Sequence, residues 1–72
     1  MTAKSAERDV AAVILADLRR TRARLAGMMV QASSEPERTR YFCMVQGVDA
    51  AITSAVRART ALDARAAAES SS

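Results

Sequence analysis

The sequence predicts an all-α fold: a two-helix antiparallel hairpin that dimerises into a four-helix bundle. Three observations carry that expectation. Two long runs rich in Ala and Arg are separated by one short break, Ser33-Ser34-Glu35-Pro36-Glu37. Within each run the apolar residues recur at alternating spacings of three and four, the period of one helix face. The chain also holds one Tyr and one Phe in 72 residues, which disfavours a sheet, whose strands draw on aromatic and β-branched side chains.

The first helix is expected over about residues 5–32 of a single domain spanning 1–72. Residues 1 to about 4 should fray. Ser5 is placed to cap the helix, with Glu7 and Asp9 at the positive end of its dipole. The apolar stripe reads Ala11, Ile14 with Leu15, Leu18, Thr21, Leu25, Met28 with Met29, and Ala32. Gly27 is a weak point, but Met28 and Met29 continue the stripe and the helix is read through it. The turn follows at about 33–35. Ser34-Glu35-Pro36-Glu37 fits a capping box: Ser34 as N-cap, Glu37 reaching back to it, and Pro36 in the first turn where its missing N–H costs nothing. The second helix is expected over about 35–68. Its stripe is Tyr41, Met44 with Val45, Val48, Ile52, Ala55, Arg59 and Leu62, and residues 69–72 read as a disordered tail.

A chain this short builds a marginal core unless something staples it. Cys43 is the only Cys and there is no His, so neither a disulfide nor a zinc site is available. Self-association is the remaining route. Val10-Ala11-Ala12-Val13-Ile14-Leu15-Ala16-Asp17-Leu18 is apolar almost all round, and such a helix is normally covered on more than one side. Gly47, Ala51 and Ala55 recur every four residues, a ridge that admits a close neighbour. The dimer seam is accordingly expected at Val10, Val13, Leu18, Gly47 and Ile52.

Catalysis is not expected, and no cofactor or metal is called for. Cys43 has no His to activate it and sits inside a helix, away from any dipole end; its expected role is that of a small buried hydrophobe. Asp9, Asp17, Asp49 and Asp63 are scattered rather than paired for acid–base work. No glycine-rich phosphate loop occurs. No apolar run reaches the roughly 18 residues that suggest a membrane span. The acidic residues near the start break any signal-peptide pattern, so a cytoplasmic location is expected.

Net charge is +3, with ten Arg against one Lys, a skew that a GC-rich genome also produces. Arg19-Arg20-Thr21-Arg22-Ala23-Arg24 gathers four guanidiniums. At 100° per residue they spread around the helix instead of forming a stripe. A turn centred near Ser33 and Ser34 would bring Arg57 and Arg59 near Asp9 and Glu7, and Arg19 near Asp49. The cluster therefore has three readings: a solvated or ion-paired surface, a protein-binding face, or a phosphate-binding face. Phe42 points about 100° away from Tyr41, off the core stripe and beside Met and Arg, as a binding hot spot would. It could equally fill a dimer seam. The residues assigned to a partner are Arg20, Arg24, Arg40 and Phe42.

The segment Arg40-Tyr41-Phe42-Cys43-Met44-Val45-Gln46-Gly47-Val48-Asp49-Ala50-Ala51-Ile52 resembles the second helix of small helical hairpins encoded by bacteriophages. In these an aromatic residue precedes a Gln-Gly pair and an apolar stripe resumes. The resemblance transfers no functional residue. It implies a phage or prophage protein that binds a host protein, as anti-CRISPR proteins and quorum-sensing anti-activators do. The expected function is thus that of a non-enzymatic regulator, inhibitor or adaptor acting by stoichiometric protein binding. Two alternatives stand beside it: a nucleic-acid binder using Arg19 to Arg24, and a structural assembly module.

Overall fold

The computed structural model describes residues 3–71, with side chains from Ala6 onward. It contains two helices, α1 (Ala3–Gln31) and α2 (Glu35–Ser70), packed along their length as an antiparallel hairpin. The molecule is a rod of 57 × 18 × 12 Å with a radius of gyration of 16.6 Å. A compact chain of this size would have a radius near 11 Å, so each helix is covered along one side only.

The turn forms where the Ser-Glu-Pro-Glu sequence places it. Ser34 is extended (φ −136°, ψ 157°) and its hydroxyl accepts the Glu37 N–H at 3.3 Å. Pro36 lies in the first turn of α2. The reciprocal half of the box differs from expectation: the Glu37 carboxylate accepts from the Ser33 hydroxyl at 3.3 Å. Ser33 brings a flexible hydroxyl within reach of the same carboxylate, an acceptable substitute for a backbone donor. At the end of α1, the Ala32 N–H bonds back to Met29 O at 3.3 Å, and Arg38 Nη2 donates to Ala32 O at 3.4 Å. These bonds satisfy carbonyls that a helix end otherwise leaves orphaned.

The outer helix ends extend beyond their expected limits. α1 begins at Ala3, so Ser5 is a residue of the helix and not its cap, and Ala3 and Lys4, expected to fray, are helical; Met1 and Thr2 lie outside the described residues. α2 continues to Ser70 instead of giving way to a tail at residue 69. The Ala-rich run before it has high helix propensity. The hydroxyls of Ser70 and Ser71 donate to Ala66 O and Ala67 O at 3.1 and 3.0 Å, closing the terminal turn. Ser72 lies outside the described residues.

The seam follows an alternating three-and-four spacing. Leu15 (2% exposed), Leu25 (8%) and Val45 (6%) are its buried residues. Ala11, Leu18, Met29 and Ala32 of α1, and Tyr41, Val48, Ile52, Ala55, Leu62 and Ala66 of α2, are partly buried along it. The same spacing passes through Arg22 and Arg59, which remain exposed. This is a heptad-type pattern, as in an antiparallel coiled coil. It is rotated from the expected stripe. Ile14, Met28 and Met44 are 49%, 40% and 47% exposed, whereas their neighbours Leu15, Met29 and Val45 turn inward. The apolar arc is wider than one partner helix can cover, and the hairpin buries the half beside its interhelical ion pairs.

Candidate interaction surfaces

Two ion pairs set the register. Arg8 Nη1 lies 3.5 Å from Asp63 Oδ1, and Arg22 Nε donates to Asp49 Oδ1. Residue n of α1 therefore faces residue 71 − n of α2. The expected alignment of Arg19 with Asp49, and of Arg57 and Arg59 with Asp9 and Glu7, is displaced by about one helical turn. Part of the first turn of α2 is taken up in crossing to α1, and the two helices come level only where Arg38 reaches Ala32. The hydrogen bond to Asp49, and then its charge, raises the Arg22 pKa above its already high ordinary value.

Both of these pairs lie on one flank of the seam, along with Arg19, Phe42 and Val56. The opposite flank carries Ile14, Thr21 and Met28 from α1 and Met44, Ala51 and Ala58 from α2, as the 100° step per residue requires. Between Ala11 and Ala32, and between Tyr41 and Leu62, no residue of this flank or of the seam edge beside it is charged. The Thr21 hydroxyl donates to Asp17 O at 2.9 Å, so the polar group of this flank is already satisfied within its own helix. The hairpin thus has one ion-paired flank and one uncharged flank.

The four residues assigned to a partner do not form one patch. Arg20 is on the outer side of α1, exposed and ion-paired to Asp17. Arg24 and Arg40 border the uncharged flank on α1 and α2. Phe42, 49% exposed, lies across the seam on the ion-paired flank. Of the residues assigned to a dimer seam, Val10 and Val13 are 57% and 60% exposed, Val13 on the outer side of α1 and Val10 at the rim of the uncharged flank in line with Asp17 and Arg24, and Gly47 is exposed at the rim of α2. Leu18 and Ile52 occupy one level of the hairpin's own seam, half-buried.

Sequence reasoning overlooked Val30, which at 79% is the most exposed large apolar side chain among the described residues. In the register it comes level with Phe42, on the same flank, and Arg38 lies one helical turn from Phe42. An apolar residue off the stripe was the available signal. Cys43 is exposed, contrary to its expected role as a small buried hydrophobe, because it falls on the outer side of α2. Among the described residues no group of acidic, Cys or His side chains could hold a metal ion. No described helix is long and apolar enough to cross a membrane.

The fold and surfaces define a class, the two-helix coiled-coil hairpin with one unpartnered apolar flank. No known family profile, curated protein or solved structure matches the chain.

Proposed function

We propose that this protein is a non-enzymatic regulator that acts by stoichiometric binding of another protein, with paired hairpins as its scaffold. The observation carrying this reading is the balance of apolar surface. Among the described residues eight large apolar side chains are exposed while three are buried. Scattered apolar residues are ordinary on a surface, but Ile14, Met28 and Met44 share one flank and Val30, Phe42 and Val56 the other, and apolar side chains grouped in this way mark interaction sites. Phe42, with Val30 and Arg38 near the turn, supplies an aromatic anchor and a guanidinium, residue types enriched at binding hot spots. The likeness to phage-encoded hairpins suggests a cytoplasmic host protein as the target.

The arginine run fits nucleic acid less well. Arg20 and Arg22 have carboxylate partners, and the remaining two, Arg19 and Arg24, lie on different sides of α1. The test is capture from bacterial lysate, with and without nuclease and over a range of salt, comparing the wild type with Phe42→Ala. A stoichiometric protein retained by the wild type and lost by Phe42→Ala is the expected result. Recovery of nucleic acid alone, with binding that collapses as salt rises, would overturn the reading.

A further inference from the structure

We infer that the uncharged flank is closed by a second copy of this chain, with the two turns at opposite ends and a two-fold axis passing beside Thr21 and Ala51. This deepens the reading above by specifying the paired scaffold, and it leaves the flank bearing Phe42 open.

Area is the first support. The chain exposes 5303 Å². A folded monomer of 7.7 kDa exposes about 4,300 Å². The excess of about 1,000 Å² is comparable with the roughly 800 Å² that each partner contributes to a standard stable interface. Composition is the second. Adding the uncharged flank to the seam gives each helix the apolar face, about three positions in seven, that a bundle helix needs on more than one side.

The symmetry follows from complementarity along the flank. With the axis at Thr21, Ile14 of one copy meets Met28 of the other. With the same axis at Ala51, Met44 meets Ala58, so a long side chain faces a short one. Gly47 meets Ala55, where the helices can approach closely. A Cβ built at Gly47 has nothing within 4 Å, so the hairpin's own packing does not require a glycine there. Charge agrees at the rim: Glu37 comes level with Arg65 of the other copy, and Asp17 with Arg24. Placing both turns at one end would instead stack Met28 and Met44 of both copies in one layer. Thr21, at the axis, can be buried without an unpaired hydroxyl because Asp17 O accepts it.

The full chain tests this by sedimentation equilibrium at about 1–100 µM, since interfaces of this size hold at micromolar concentration or tighter. The expected mass is twice 7.7 kDa. Ala51→Glu should reduce it to the monomer while far-ultraviolet circular dichroism stays helical. Val56→Glu, on the other flank, should remain dimeric and guards against an unfolding artefact. Ala51→Cys in a Cys43→Ser background should oxidise to a linked dimer, because the axis brings residue 51 beside its own copy. A monomer throughout that range overturns the inference, including one that covers the flank with a different protein. A dimer that survives Ala51→Glu and does not cross-link at residue 51 overturns it as well. Phe42→Ala should leave the mass at the dimer value, so failure of this inference and failure of the regulatory reading give different signatures.

Discussion

Leu15 and Ile14 are chain neighbours of equal carbon count, and replacing each by Ala distinguishes the observed seam from the stripe expected of the sequence. Leu15 is 2% exposed and Ile14 is 49% exposed. Each change removes three carbons, worth about 0.8 kcal/mol apiece when fully buried. Leu15→Ala should therefore cost about 2.4 kcal/mol, near the lower end of measured core truncations because a two-helix seam can relax around the gap. Ile14→Ala should cost about half as much in dilute protein, less a few tenths for the better helix propensity of Ala. Unfolding entropy of about 2.1 cal/mol/K per residue over 72 residues converts these to drops in Tm of roughly 16 °C and 7 °C. Thermal and urea melts followed at 222 nm read both. With a second copy over the uncharged flank, the cost of Ile14→Ala should rise with protein concentration toward that of Leu15→Ala. If Ile14→Ala costs more than Leu15→Ala even in the most dilute sample, the seam runs along Ile14 and Met28, and the distinction between the flanks fails.

Ser34→Ala should destabilise the chain by about 1 kcal/mol in urea melts through loss of the α2 N-cap, and Ser34→Gly by only a few tenths. Gly27→Ala should stabilise it by about 0.5–1 kcal/mol, since a methyl group there meets nothing within 4 Å and the backbone is helical. Gly47→Ala should gain less than Gly27→Ala at concentrations where the dimer forms, because its methyl group enters the crossing of the two α2 helices; an equal gain at every concentration would count against that crossing. A double-mutant cycle on Arg22 and Asp49 should show a small coupling at low salt that vanishes near 1 M, where the Debye length falls to about 3 Å and both side chains remain accessible.

Much of the fold was legible because its determinants are local. Ser34, Pro36 and Glu37 specify the turn through hydrogen bonds within four residues of one another. Helix periodicity is also a local property and was read along both runs. The rotation of each helix was harder to read. Leu15 and Ile14 are both apolar, as are Met29 and Met28, and Val45 and Met44, so periodicity alone does not decide which of each pair turns inward. The candidate surface was less legible still. Arg40 and Phe42 are two residues apart in sequence but fall on opposite flanks, while Phe42 and Val30 are twelve apart and share one.

The sequence by itself determined two long helices, their break at Ser34 and an apolar arc wider than a single neighbour can cover. Helix propensity, capping and periodicity act over a few residues and need no partner to be read. Only the tertiary structure decided the alignment of α1 on α2 and which half of the arc is buried. Those depend on contacts between distant residues, Arg8 with Asp63 and Arg22 with Asp49. A shift of one helical turn in that alignment leaves every local preference unchanged, yet replaces every facing pair.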